Sequence, residues 1–295
     1  MTTYAITGHK GLIGTFLKQA LDKEGFKCVL QIDQREGFNI NDLMFKEFEV
    51  NDKIDIFFHF AAQCRINESI AKPILSHKNN VDGILAVLEF CRKHDIKKIV
   101  FASSSRVLSD DKNPYVASKI YGEELIKAYQ QCYGIEYIII RPSTVYGPMY
   151  DLTSRLINNF ISAAWKGEEM RIYGDKRKTL DFTYVTDFIT AIILAIKSVW
   201  NTDYNISGES EYNIYSLAKM IKKKLNSKSL IKFYPPEIAQ PQKVKINTTK
   251  IRSLGWKPKV SITKGVDNMI KFYKQNPFYI ENYKDKGREF YETQN

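Results

Sequence analysis

Apolar residues alternate between two rhythms along the first half of the chain. Short, nearly unbroken apolar runs stand at 3–7 (TYAIT), 28–32 (CVLQI), 54–60 (IDIFFHF), 98–102 (KIVFA) and 137–140 (YIII). Between them the apolar positions take helical spacing: FLKQAL follows the first run, Val81, Ile84, Leu85, Leu88 and Cys91 share a face at about 79–94, and a third such stretch lies near 117–132. Strands without polar alternation are buried on both faces, and helices between them supply the cover. The expected class is α/β, a doubly wound parallel sheet with a smaller, mostly C-terminal lobe.

The stretch from the YIII run to Gly147 and Pro148 reads as a Pro- and Gly-rich turn, after which the rhythm changes. A helix is expected at about 153–166, then an IYG turn, a strand around Asp181 and Phe182, and helices at about 187–198 and 215–225, the last with Leu217, Ile221 and Leu225 inside. Residues 228–262 read as short strands and turns, 263–274 as a final helix, and 275–295 as an aromatic, polar tail wrapping the body. This divides the chain into a larger domain, 1–170, which also receives parts of 181–205, and an interlocked second one, mainly 171–295. No internal repeat is evident.

Composition changes this picture mainly through charge. The 295 residues carry 44 Lys+Arg and 33 Asp+Glu, net +11. The surplus is local: residues 1–215 hold 26 basic against 27 acidic side chains, and 216–295 hold 18 against 6. A basic surface of this kind attracts phosphate, nucleic acid or acidic lipid. Yet the chain shows no nucleic-acid reader module, so no specific nucleic-acid partner is expected. No stretch approaches the roughly 18 to 20 apolar residues of a membrane span, and the start lacks a signal-peptide pattern, so a cytoplasmic protein without membrane insertion is expected. Cys28, Cys64, Cys91 and Cys132 form no CxxC pair and read as buried free thiols. With His9, His59, His77 and His94 also at no ligand spacing, no metal site is expected.

The chemistry concentrates at strand ends. Gly8, Gly11 and Gly14 follow the first strand and open the first helix. Glycines there allow a tight turn, close approach of the backbone to a pyrophosphate, and close packing of helix on strand, while helix amides meet the phosphates. Three glycines also make an ordinary loop; their placement between strand and helix favours the nucleotide reading. Asp33, nineteen residues after Gly14, ends the second strand, where a carboxylate accepts bonds from adenosine ribose hydroxyls. A 2′-phosphate would meet like charge, which favours NAD over NADP, with Arg35 as the opposing signal. Tyr115 and Lys119 share a helix face four positions apart. A tyrosine acting as acid or base near neutral pH needs its phenolate stabilised, and an adjacent ammonium does so. Ser103, Ser104 and Ser105 follow the KIVFA strand at the sheet edge where ligands bind, one of them available to a substrate oxygen.

With these motifs in hand, the sequence resembles the extended short-chain dehydrogenase/reductase family, particularly its NAD-dependent epimerase/dehydratase enzymes acting on nucleotide sugars. The resemblance spans about residues 3–274 and rests on GHKGLIG at 8–14, Asp33, HFAA at 59–62, SSS at 103–105, YVASK at 115–119, RPSTVYGP at 141–148, IYGDKRKTLDFTYVTD at 172–187 and LGWKP at 254–258. It implies a Rossmann-like fold with NAD at the carboxyl edge of the sheet, held by Gly8, Gly11, Leu12, Ile13, Gly14, Asp33, Phe60, Ala61, Ala62, Asn80, Ser103, Tyr115, Lys119 and Pro142. It implies Ser105, Tyr115 and Lys119 as catalytic, Tyr115 being the acid/base. Asn80 would support the active-site helix. Ser104, Ser105, Tyr115, Thr144, Arg177, Lys178, Lys243 and Lys245 are the residues expected to meet a nucleotide-sugar substrate. A homodimer built on the helices near 79–94 and 117–132 is implied as well.

Departures from the family pattern sharpen the expectation. Ser105 and Tyr115 are only ten residues apart, so a usual loop is missing. In the 4,6-dehydratases an acidic pair follows the serine or threonine; here Arg106, Val107 and Leu108 follow, with Asp110 and Asp111 reading as a solvated turn. The usual pyrophosphate arginine is replaced within Leu180-Asp181-Phe182, leaving Lys178 or Arg177 to take its task, and Thr144 stands for the usual asparagine. Epimerisation at C4 through a transient 4-keto sugar is the expected reaction. A dehydratase, a 4-keto reductase and a non-catalytic NAD-binding scaffold are the alternatives.

Overall fold

A computed structural model describes residues 1–46, 48, 50, 52–149, 154–208, 211–240 and 244–285. Its strands are β1 (Thr3–Thr7), β2 (Lys27–Ile32), β3 (Ile56–His59), β4 (Lys98–Ala102), β5 (Glu136–Pro142), β6 (Thr144–Tyr146), β7 (Met170–Tyr173), β8 (Thr179–Tyr184), β9 (Thr202–Ile206), β10 (Glu211–Asn213) and β11 (Ile231–Tyr234). Six of them form one parallel sheet in the order β2-β1-β3-β4-β5-β9. The order reverses between β1 and β3, which leaves a crevice at the carboxyl ends of both.

Alternate side chains of each strand feed two cores. Val100, Ile138 and Ile140 face Leu17 and Leu21 of the Leu12–Lys23 helix and Phe188 and Ile192 of the Val185–Ile196 helix. Ile99, Phe101 and Ile139 face the other way, onto Val87 and Leu88 of the Gly83–Lys93 helix and Ile126 of the Pro114–Tyr133 helix. Double burial is why these strands read as unbroken apolar runs. The α/β, doubly wound parallel sheet is therefore as expected.

A third core binds the smaller lobe. It joins Tyr146, Phe160 and Ile161 to Met170, Phe182, Leu217, Ile221, Met269 and Tyr273. Strands β10, β8 and β6 form one small sheet, and β11 with β7 another. Here the sequence expectation fails in two places. The IYG segment expected as a turn is strand β7, paired in parallel with β11, and the Pro- and Gly-flanked stretch before Gly147 contains β6, paired with β8. Both strands are short and depend on partners distant in sequence, so tertiary pairing overrides local turn composition. Asp187 lies in the first turn of the Val185–Ile196 helix, and its Oδ2 accepts from the amides of Lys259 and Val260 at 3.0 and 2.8 Å, pinning the segment after LGWKP.

The expected tail also resolves in part. Residues Pro277–Glu281 form a short helix whose Ile280, with Tyr283, is buried in the third core, while 286–295 lie outside the described residues. Part of the C-terminal positive charge sits at one helix end: Lys222, Lys223 and Lys224 close the Ile214–Lys224 helix, where the helix dipole favours cations. Among the described residues no helix is long and apolar enough to cross a membrane, and no cluster of three or more His, Cys, Asp or Glu is placed to hold a metal. Cys91 is buried and Cys28 half-buried, but Cys64 and Cys132 are exposed, against the expectation of four buried thiols.

Candidate active site

A cavity of about 1070 Å³ lies between the carboxyl edge of the large sheet and the smaller lobe. Its floor at one end is the glycine turn. Gly8 takes φ +76°, and the Gly11 amide closes onto the Gly8 carbonyl at 3.1 Å. A Cβ on Gly14 would stand 2.2 Å from the Gly8 carbonyl oxygen, so only glycine lets the helix start this close to the strand. Gly8, Gly11, Leu12, Ile13 and Gly14 all line the cavity.

Beside this turn, Asp33 ends β2. Its carboxylate accepts from the amides of Lys10 at 2.9 Å and Arg35 at 3.0 Å, which fixes it while leaving lone pairs for a ligand hydroxyl. The Arg35 guanidinium turns back onto the Lys10 carbonyl. Phe60, Ala61, Ala62, Ser103 and Pro142 complete this end of the wall. A backbone cradle at a helix N-terminus, followed by a ribose-facing carboxylate, fits a dinucleotide such as NAD. Asn80 does not line the cavity. It lies one layer behind, accepting from the Gln63 amide at 2.8 Å and donating to the Gln63 carbonyl and Ser118 Oγ, each at 3.1 Å, so it braces the wall and the active-site helix.

The helix Pro114–Tyr133 begins at Asn113, whose side chain accepts from the Val116 amide at 3.0 Å, with proline at the first helical position. This cap sets Tyr115 in the first turn and Lys119 one turn on, both buried and both lining the cavity. Burial pushes the Tyr115 phenol up to about 12, reinforced by Cys64 and opposed by a hydrogen bond with Ser104 and by the Arg106 and Arg155 guanidinium groups. Burial brings Lys119 down to about 8. Its Nζ donates to the Ala102 carbonyl at 2.7 Å and lies 6.0 Å from the centre of the Tyr115 ring. Ser104, Arg106 and Arg155 thus favour the phenolate, with the Lys119 ammonium one helical turn away.

The serine assignment shifts by one residue. Ser104 lines the cavity beside Tyr115, whereas Ser105 opens the short turn 105–108 and faces a small neighbouring hollow with Asp181 and Val244. Ser103 donates to Glu123, which also holds Arg141. At the far end Thr144 and Lys178 line the cavity, Lys178 only 8% exposed, its Nζ on the Tyr173 carbonyl at 2.8 Å. Arg177 does not: its side chain is 91% exposed and pairs with Asp175 at 2.8 Å. Lys245 also points outward, because Val244 and Ile246 on either side face the small hollow. Lys243 lies outside the described residues.

Several lining residues were missed by sequence reasoning. Glu237 lies 3.6 Å from Lys178 and accepts from Asn67 at 3.0 Å, and Gln240 donates to Asn67 at 3.0 Å. The Asn113 side chain donates to the Ala239 carbonyl at 3.0 Å, so the segment 237–240 closes over the start of the Tyr115 helix, beside the shortened Ser–Tyr connection. No local pattern announces such contacts, which span more than a hundred residues. Arg106 was the one visible signal, a cation where an acid was looked for.

The glycine cradle, Asp33 and the Ser104–Tyr115–Lys119 group in one cavity define a dinucleotide-dependent enzyme of the short-chain dehydrogenase/reductase type. Residues 4–207 match the NAD dependent epimerase/dehydratase family, and the chain belongs to it. It is 30% identical over 302 residues, covering 92% of this chain and 98% of the relative, to the "Putative UDP-glucose 4-epimerase" of Methanocaldococcus jannaschii. It is 28% identical to the human dTDP-D-glucose 4,6-dehydratase over 246 residues, 76% of this chain and 70% of that one. Among solved structures, the UDP-glucose 4-epimerase of Thermotoga maritima with UDP-glucose superposes with a TM-score of 0.86 at 24% identity, over 94% of this chain and all of that one, which shows the fold. NAD is the cofactor of the family.

Proposed function

We propose that the protein is an NAD-dependent nucleotide-sugar 4-epimerase, with a UDP-sugar as the first substrate to test. The observation that carries this reading is that Ser104, Tyr115 and Lys119 line one cavity with the glycine turn and Asp33. When bound, NAD supplies a reversible hydride acceptor at the sugar C4. Gly8, Gly11 and Gly14 hold its pyrophosphate, Asp33 its adenosine ribose, and Lys119 the ribose nearer Tyr115.

Ser104 holds the C4 oxygen and Tyr115 takes its proton as the C4 hydrogen leaves. The resulting 4-keto sugar turns over within the cavity. Tyr115 then returns the same proton to the oxygen as the hydrogen comes back to the opposite face of C4, so the product is an isomer and no proton or water is consumed. The raised Tyr115 value means that the phenol is protonated at neutral pH in the free enzyme. Proton uptake therefore relies on Ser104, Arg106 and Arg155 to favour the phenolate.

Elimination of water is disfavoured by the same geometry. It needs an acid and a base beside the tyrosine, but the side chain that follows Ser105 is a guanidinium, and Asp110 and Asp111 are exposed. Lys178, not Arg177, is the described cation placed for the diphosphate. A homodimer through the Gly83–Lys93 and Pro114–Tyr133 helices belongs to the same reading, supported by the exposed Tyr121 and Tyr133, and sedimentation tests it.

The test is Tyr115→Phe assayed by proton NMR on UDP-sugars. Turnover should fall by about 10²- to 10⁴-fold, the usual worth of a positioned acid/base, with NAD still bound. Undiminished epimerisation in that variant, or a product lighter by one water from the unaltered enzyme, overturns the proposal.

A further inference from the structure

Most cations around the cavity are already engaged. Arg65 pairs with Glu68 at 3.4 Å, Arg171 with Glu169 at 3.1 Å, and Lys166 donates to the Tyr283 carbonyl at 2.7 Å. Lys119 and Lys178 hold carbonyls as described above. Arg106 is different. It lines both the cavity and the small hollow beside it, yet among the described residues its guanidinium makes no hydrogen bond and has no carboxylate at ion-pair distance.

Its surroundings are polar but already occupied. It feels the Tyr115 phenol and the carboxylates of Glu237, Asp181 and Asp111, and Glu237 is shared by Lys178 and Asn67. Burial lowers the guanidinium from its ordinary value, which marks a charge stripped of water without a partner in return. Five N–H donors in a fixed fork cannot be hidden or neutralised by loss of a proton. A ligand that brings a carboxylate would satisfy them two at a time.

The location fixes where on a ligand that carboxylate sits. Arg106 follows Ser104 by two residues on one tight turn, and its amide donates to Ser104 Oγ at 3.2 Å. Tyr115 lies beside both, its hydroxyl interacting with Ser104 and with the guanidinium. Arg106 therefore stands at the reacting carbon rather than at the diphosphate. On a hexose ring the neighbours of C4 are C3 and C5.

We propose that Arg106 selects a sugar bearing a carboxylate next to C4, either a uronate on C5 or a lactyl ether on C3. This rests on the reading of the cavity as a nucleotide-sugar site. Arg106 acts as a specificity residue: it pairs with the substrate anion and, once paired, pulls less on the Tyr115 phenolate.

Binding to the NAD-loaded protein tests it, because affinity can be read whether or not turnover follows. UDP-glucuronate, UDP-N-acetylmuramate, UDP-glucose and UDP-N-acetylglucosamine are titrated by calorimetry against the unaltered chain, Arg106→Gln and Arg106→Lys. One acid should bind at least about thirtyfold tighter than its neutral counterpart, the scale of a desolvated charge pair. Preference for UDP-glucuronate places the carboxylate on C5; preference for UDP-N-acetylmuramate places it on C3. In Arg106→Gln the ratio should fall to about one, and Arg106→Lys should recover it only in part, since an ammonium lacks the fork. Equal affinity within both pairs, no binding of any of the four, or a ratio unchanged in Arg106→Gln overturns the proposal. Acid preference without isomerisation leaves it standing and defeats the epimerase reading, whereas isomerisation of neutral sugars without acid preference does the reverse.

Discussion

The two ends of the cleft are built in different ways. At the cofactor end the ligand-facing surface is largely backbone: a glycine turn at the tip of β1, the tip of β2, and the Phe60–Ala62 run after β3. Each piece is a short contiguous segment whose residues are dictated by the local fold. At the sugar end the surface is side chains from remote segments, with Asn67 tied to Glu237 and Gln240, and Asn113 tied to Ala239. One end is a property of the sheet. The other is assembled by the docking of two lobes, and it is free to change while the first stays constant.

The sharpest way to break this contrast is at the glycine turn. Gly14→Val forces a side chain into backbone already 2.2 Å from the position of its Cβ. Strain of this kind costs about 1–3 kcal/mol where it can relax. Here it acts on the cradle itself, so NAD affinity should fall by at least about a hundredfold, measured by fluorescence titration. UDP binding by the folded variant should change little. If UDP affinity fell as far, the two ends would not be independent.

A milder probe of the same end is Asp33→Ser. Hydrogen bonds to a charged group are worth about 1.5–3 kcal/mol, so NAD should bind roughly ten- to a hundredfold more weakly. The preference for NAD over NADP should shrink with it, because the repelling charge is gone. Unchanged discrimination would move the ribose away from Asp33. At the sugar end, Glu237→Ala removes the partner of Lys178 and Asn67 while leaving the cradle intact. Sugar-nucleotide affinity should drop about tenfold, the worth of a partly exposed charged contact, and NAD affinity should hold.

The same contrast decides what was legible in the sequence. The large sheet could be read because its strands are apolar on both faces, as Ile99 and Val100 illustrate by entering opposite cores. The Gly8–Gly14 turn and the Tyr115–Lys119 pair could be read because their meaning is set by spacing within one element. Strands β6 and β7 could not, since three or four residues flanked by Pro or Gly carry no periodicity and become strands only on meeting β8 and β11. Ser104 and Ser105 look alike in a run of three serines. Only the turn at 105–108 decides which hydroxyl reaches Tyr115. Arg177 and Lys178 are equally good cations on paper, yet one is paired in solvent and the other buried in the wall. Choices between adjacent residues are thus made by chain direction at an element's end, which composition does not encode.

The last probe reads stability rather than affinity and concerns Lys119, which belongs to both ends. Its folded value of about 8 lies below the ordinary 10.5 because burial disfavours the ammonium. Between those two pH values the unfolded chain binds more protons than the folded one, so the contribution of this group to stability rises with pH. Below about 8 the full cost of burying the charge is present, and above about 10.5 it has vanished. Lys119→Met cannot titrate. Denaturant unfolding of both chains from pH 7 to 11 should therefore move in favour of the unaltered protein through that window, by up to about 3 kcal/mol. A difference that stays flat would mean that Lys119 keeps its ordinary value, its donation to the Ala102 carbonyl offsetting burial. A difference that moves the other way would mean that a neighbouring anion, the Cys64 thiolate or Glu123, holds the ammonium charged. In either case Lys119 would be a permanent cation under the cofactor rather than a group that changes charge near pH 8. The pH dependence of turnover would then pass to Tyr115.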